Sequence, residues 1–233
     1  NRLKKSLADS WHTELIPVSL EPLTELERNA EFFSGVQKKK YISNYPKIDV
    51  LDSWEIIKCK KKEFYVLSIG ANENCRAWPV NFFGEIAQRI YENTGWHGFV
   101  CGVKKEFFLG EQIKKICHAP LENYAGLTSL KELAWLLAKS QILISNESGP
   151  AHIATAVGTS TVSIVGGGHF GRFVPYPKIQ GYSNNLDVVF HEMICYGCNW
   201  DCIYQLKKNE PAPCIENIDV DMVWEKVKPL LPC

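Results

Sequence analysis

No stretch of this chain approaches the ~20 consecutive apolar residues that a helix needs to cross a bilayer. Neither sign of charge is in excess: 26 Lys and Arg stand against 26 Asp and Glu, for a formal net charge of zero. The first absence argues against a transmembrane helix, and the second leaves no basic footprint for nucleic acid. There is no internal repeat and no low-complexity tract. Residues 1–10 are polar and basic with no apolar segment behind them, so no secretory signal is expected. The nine cysteines are odd in number and partly scattered along 233 residues. That pattern suits free thiols in a reducing compartment better than a disulfide scaffold. The chain starts at Asn1 instead of Met, which leads us to expect part of a longer protein.

What is present is an ordinary globular composition, 45% apolar and 22% charged. Residues 23–33 (LTELERNAEFF) carry Leu23, Leu26, Ala30 and Phe33 on one side of an amphipathic helix. Residues 37–62 are rich in Lys, with Pro46 among them, and read as a linker or an edge of structure. From Glu63 the pattern becomes regular. Residues 64–69 (FYVLSI) form a short apolar run suited to a strand buried on both faces, ending at Gly70. Pro79 opens a helix, as proline does in a first helical turn. A strand over 98–103 and a helix over 105–116 follow. Residues 129–138 (SLKELAWLLA) predict a helix with Ser129 as N-cap and Glu132 completing a capping box. The pattern then gives a strand at 141–145, a helix at 150–157, a strand at 160–165, a short strand at 187–190 and a closing helix at 219–231. Such alternation predicts βαβ units around a parallel sheet. The fold class expected is α/β: a Rossmann-like sheet with helices on both faces over residues 63–233, preceded over 1–62 by a remnant of another half and a linker.

In open sheets of this kind ligands bind beyond the carboxyl ends of the strands, and three polar or glycine-rich junctions fall there. In the first, Asn146-Glu147-Ser148-Gly149-Pro150-Ala151-His152, a helix start with Gly149 at the cap offers free N–H groups and the positive dipole end to an anion. Ser148 and His152 add donors. The alternative is a plain tight junction. In the second, residues 71–79, Arg76 offers planar bidentate donors to a diphosphate, or is an ordinary surface charge. In the third, three successive glycines, Gly166, Gly167 and Gly168, precede His169 and Arg172. They suit a backbone that moves or touches a ligand, or a flexible crossover. The thiols Cys195, Cys198, Cys202 and Cys214 cluster with spacing C-x2-C-x3-C-x11-C. They could hold a structural zinc ion tetrahedrally, or pack as free thiols around Trp200 and Tyr196.

Together these segments resemble glycosyltransferase family 9, the family of lipopolysaccharide heptosyltransferases. The resemblance is carried by Gly70-Ala71 with Arg76-Ala77-Trp78-Pro79, by Gly126-Leu127-Thr128-Ser129-Leu130-Lys131-Glu132-Leu133, by Glu147-Ser148-Gly149-Pro150-Ala151-His152, and by the cysteine-bearing segment from Cys195 onward. It implies the C-terminal half of a GT-B glycosyltransferase, binding a nucleotide-diphospho-sugar for inverting, metal-independent transfer to a glycan or glycolipid acceptor. Arg76 would bind phosphate, and Ser148, Gly149 and His152 would hold the diphosphate. Residues 119–128, Thr128 among them, would line base and ribose. Glu106 would stand near the donor, and Gly167 would contribute from the glycine junction. Glu147 departs from the family's usual Asp. The family's general base is an Asp of the N-terminal half; the resemblance leaves that half outside this chain, so no transfer by the chain alone is expected. The resemblance further implies no required cofactor and lipopolysaccharide biosynthesis in the cytoplasm, at the inner membrane face where the acceptor is a glycolipid. A noncatalytic nucleotide or sugar-phosphate binding module is the alternative. A nucleotide-sugar epimerase would have to use Glu147 and Glu106 as its acid and base.

Overall fold

The computed structural model describes residues 11–54, 63–179, 184–206 and 210–232. Residues 1–10, residues 55–62 of the stretch expected to be a linker or an edge of structure (Cys59 among them), and Cys233 lie outside them. Contacts divide the chain into two compact units, residues 1–44 and 45–233. In the first, α1 (Glu25–Gln37) starts two residues later and ends four later than its sequence pattern suggests. Its start is set by Thr24 and Glu27, which exchange hydrogen bonds as a capping box. The left-handed Lys38, φ 51°, ends it.

The second unit carries the regular alternation. Its strands are β1 (Phe64–Ser68), β2 (His97–Cys101), β3 (Leu121–Asn123), β4 (Ile142–Asn146), β5 (Ser160–Ile164) and β6 (Leu186–Val189). They form one sheet in the order β3-β2-β1-β4-β5-β6, every pair parallel. The helices are α2 (Val80–Thr94), α3 (Phe107–Ile116), α4 (Leu130–Lys139), α5 (Gly149–Val157), the short α6 (Pro213–Glu216) and α7 (Val220–Val227).

All five β1 residues are buried because strands flank it on both edges and helices cover both faces. Side chains alternate across the sheet. Tyr65 and Leu67 pack in one core with Ile86 and Ile90 of α2, Ile113 of α3 and Val223 of α7. Phe64 and Val66 pack in another with Leu133 and Leu136 of α4 and Ala154 of α5. Each such buried aliphatic or aromatic side chain stabilises by about 1.5–3 kcal/mol. The expected α/β, Rossmann-like sheet with helices on both faces is therefore the fold observed.

Residues 45–50 pack with this unit. The Ile48 N–H donates to the Ala156 carbonyl at 2.8 Å, and Val50 lies against the α4–α5 core. β3 escaped the sequence pattern because it has only three residues, two of them polar. The closing helix is shorter than expected: α7 stops at Val227, and a 3-10 turn containing Pro229 follows.

The capping box of α4 forms as predicted. Ser129 N–H donates to Glu132 Oε2 at 2.6 Å, and Glu132 N–H donates to Ser129 Oγ at 3.4 Å. Ser129→Ala should therefore lower unfolding free energy by about 1 kcal/mol. Urea titration should show this as a lower midpoint with an unchanged slope.

Candidate functional site

The strand order reverses between β1 and β4: the chain runs outward from β1 through β2 to β3, and from β4 through β5 to β6. Successive helices leave that point on opposite faces, so a crevice opens beyond the carboxyl ends of β1 and β4. A cleft of about 580 Å³ lies there. Six of the eight site residues expected from sequence line it: Arg76, Glu106, Thr128, Glu147, Ser148 and Gly149. Leu130, Leu133 and Ile153 supply an apolar side.

Asn146, the fully buried last residue of β4, fixes the two central strand ends to each other. Its Oδ1 accepts the Trp78 N–H at 2.9 Å, and its Nδ2 donates to the Ile69 carbonyl at 2.8 Å. Trp78 is itself buried, its Nε1 donating to the Ile218 carbonyl at 2.7 Å, so it is a packing residue. Between these anchors the chain makes a 3-10 turn, Asn74–Arg76, which delivers the guanidinium to the cleft.

Arg76 Nη2 stands 3.8 Å from Glu147 Oε2. That is an ion pair without a hydrogen bond: Arg76 Nε and both Glu147 carboxylate oxygens are buried and have no hydrogen-bond partner among the described residues. Buried charged groups are seldom left so. Both residues line the cleft, with these atoms themselves shielded from solvent. Burial pushes the Glu147 carboxyl up to about 7, and the nearby Arg76 charge, pulling the other way, does not offset it.

Glu106 is buried and accepts the Val103 N–H at 2.8 Å. Its carboxylate lies against the ends of β1 and β2. A Cβ added at Gly70 would fall 2.6 Å from Oε2, and one at Gly102 would fall 2.4 Å from the same atom. Both glycines make room for this carboxylate at the cleft wall.

The start of α5 differs from expectation by one residue. Ser148 is the N-cap, Gly149 is the first helical residue, and Pro150 follows within the first turn. The Ser148 hydroxyl donates to the Asn146 carbonyl at 3.2 Å and makes no capping bond. The Ala151 N–H, expected to be free for an anion, donates to the Ser148 carbonyl at 3.0 Å. A Cβ at Gly149 would meet nothing within 4 Å, so the approach to this helix end is open.

Two expected residues lie elsewhere. His152 Nδ1 pairs with the Tyr176 hydroxyl at 2.6 Å, and His152 does not line the cleft. Burial lowers the His152 pKa and pushes Tyr176 up to about 12. Gly167 is buried beneath Tyr196, whose ring would come within 2.5 Å of an added Cβ. The glycine junction is thus a packed floor, not a mobile loop. Asn146 and Trp200 shape the site; the sequence placed them in the first junction and the cysteine cluster but gave neither a role at the cleft. Their roles depend on partners far away in the chain.

The seven described cysteines are free thiols. Cys195, Cys198, Cys202 and Cys214 surround one cavity of about 10 Å³, and the Gly167 N–H donates to Cys214 Sγ at 3.4 Å. Among the described residues no three His, Cys, Asp or Glu side chains are placed to hold a metal ion, so the zinc expectation finds no ligand set. The four thiols and Trp200 line the same small cavity. An Asp-x-Asp triplet does occur, Asp219-Val220-Asp221. Asp219 caps α7 by accepting the Met222 N–H, and Asp221 pairs with Arg89; neither lines the cleft. No helix among the described residues is long and apolar enough to cross a membrane.

Residues 22–195 match the model of glycosyltransferase family 9 (heptosyltransferase). The chain is 33% identical over 114 residues to the lipopolysaccharide core heptosyltransferase OpsX of Haemophilus influenzae, covering 48% of this chain and 30% of that protein. Among solved structures it is similar to the E. coli ADP-heptose heptosyltransferase II, with a TM-score of 0.65 and 18% identity over 83% of this chain and 56% of that one. It is also similar to the E. coli heptosyltransferase WaaC with ADP-2-deoxy-2-fluoro heptose, with a TM-score of 0.62 and 15% identity over 97% of this chain and 61% of that one. The chain thus spans less than two thirds of the length of each.

Proposed function

Because this chain belongs to glycosyltransferase family 9, we propose that its cleft binds a nucleotide-diphospho-sugar, of which ADP-heptose is the leading candidate. The solved WaaC complex holds an ADP-heptose analogue, which supports that choice. On this reading residues 45–233 are the donor-binding, C-terminal half of a GT-B enzyme. The observation that carries it is the Arg76–Glu147 pair at the switch-point crevice, with hydrogen-bonding capacity unspent on both sides, next to an open helix start.

The diphosphate would lie between Arg76 and the start of α5. Glu147 would accept a hydroxyl of the sugar, and the apolar wall of Leu130, Leu133 and Ile153 would lie against the base. Transfer joins the acceptor hydroxyl oxygen to the anomeric carbon with inversion. The bond from that carbon to the diphosphate breaks, its electron pair leaving with the diphosphate. The proton passes to a carboxylate of an N-terminal half. Arg76 and the helix start stabilise the charge gathering on the leaving group without a metal. The acceptor would be a lipopolysaccharide core glycan, reached at the cytoplasmic face of the inner membrane. Without an N-terminal base the chain binds donor and transfers nothing.

Calorimetric titration with ADP, ADP-heptose and other nucleoside diphosphates tests this. ADP and ADP-heptose should bind at micromolar concentration; absence of binding by any diphosphate would defeat the proposal. A noncatalytic binding module predicts the same titration. Restored transfer on adding an N-terminal half separates the two.

A further inference from the structure

Trp200, within the cysteine cluster, was given no role at the cleft by its sequence, yet it touches the residue on which the proposed function turns. Arg76 Cζ stands 5.1 Å from the centroid of its ring. The indole also rests on the glycine junction: a Cβ added at Gly168 would fall 2.4 Å from the ring, and one at Gly166 would fall 2.6 Å from it. Larger residues there would lift the ring.

The backbone that presents the indole is held in an unusual shape. Asn199 and Trp200 have φ of 52° and 65°, left-handed values that non-glycine residues seldom adopt. They are pinned to the glycine floor. Gly197 N–H donates to the Gly167 carbonyl at 2.8 Å, Asn199 N–H donates to the Gly168 carbonyl at 2.9 Å, and Asn199 Oδ1 pairs with His169 Nε2 at 3.0 Å. The turn bearing Arg76 is tied to the same part of the chain, for the Ala212 N–H donates to the Cys75 carbonyl at 2.8 Å.

Packing alone does not account for an indole here. Trp200 Nε1 is buried without a hydrogen-bond partner among the described residues, a cost that an aliphatic side chain would avoid. What the indole offers in return is a π face. Such a face attracts a guanidinium without using its N–H groups. A carboxylate in the same place would occupy those donors.

We infer that Trp200 is a positioning residue, which with the glycine junction beneath it holds the Arg76 guanidinium in place while leaving its donors available to a diphosphate. This rests on the proposed role of Arg76. It assigns a purpose to the triple glycine and to the left-handed turn between Cys198 and Cys202.

The test is calorimetric titration of the whole chain with ADP and with adenosine. Trp200→Met, which keeps a flexible apolar side chain of smaller volume but loses the π face, should weaken ADP binding about fivefold. Trp200→Phe should stay within about twofold of the parent, and adenosine affinity should not change in either variant. In an Arg76→Ala background Trp200→Met should cost nothing further, because the two residues act through one contact. Should Trp200→Met not fold, biosynthetic replacement of tryptophan by fluorinated tryptophans drains the π face without changing ring shape. ADP affinity should then fall stepwise with fluorination, and only when Arg76 is present. Equal ADP affinity in Trp200→Met and Trp200→Phe, no response to fluorination, or additive losses with Arg76→Ala would each overturn the inference. If Arg76→Ala alone leaves ADP binding unchanged, it is the proposed function that fails.

Discussion

Arg76→Ala should weaken ADP binding about a hundredfold while leaving the fold intact. Charge-assisted hydrogen bonds are worth about 1.5–3 kcal/mol each, and a guanidinium can offer two to one diphosphate. The start of α5 cannot replace them, since a helix dipole contributes only about 0.3–1 kcal/mol at an exposed end. Its Ala151 N–H is moreover already bonded to Ser148. Stability should change little. Arg76 makes one 3.8 Å ion pair and one ring contact, and neither holds the sheet together. Arg76→Lys should recover part of the affinity, since an ammonium keeps the charge but not the bidentate geometry. Calorimetry with ADP, alongside melting curves for each variant, checks all of this. Unchanged affinity in Arg76→Ala with a normal melting curve would remove Arg76 from the site.

Legibility in the sequence followed the range of the interactions. β1 and β4 were readable because each carries a short apolar run ahead of turn residues, a signal contained in the segment itself. The α4 cap was readable for the same reason, Ser129 and Glu132 being one turn apart. Asn146 was not, because its amide acts on Ile69 and Trp78, which adjoin it only once β1 and β4 pair. Three adjacent glycines serve equally as a hinge, a ligand-contacting loop or a floor for large rings. Only the packing of Trp200 and Tyr196 onto them decides between these. His152 sits one turn into α5, where an anion ligand was expected, but Tyr176 lies within its reach and takes it. The cleft was legible as a place, the carboxyl ends of β1 and β4. That Arg76 would keep a donor, and Glu147 its acceptors, without partners was not, since that depends on burial.

Burial also makes stability depend on the protonation of Glu147. Its carboxyl is moved from an ordinary 4.5 to about 7, mainly by desolvation, with Arg76 opposing. A shift of that size is worth roughly 3 kcal/mol. The sign follows from proton uptake. Between 4.5 and about 7 the folded chain holds a proton on Glu147 that the unfolded chain has released. Stability from this group is therefore complete below 4.5 and is lost as pH rises toward about 7. Above that the folded chain carries a buried, poorly paired carboxylate. Glu147→Gln keeps the shape and removes the charge. It should match the parent near pH 4 to 5 and be more stable by roughly 3 kcal/mol at pH 8. Urea titrations of both chains across that range measure the difference directly. A constant offset between the two curves would show that Glu147 does not titrate where its burial places it. A parent that gains stability toward pH 8 relative to Glu147→Gln would mean that Arg76 outweighs burial, and that the pair is a closed ion pair instead of an open ligand site.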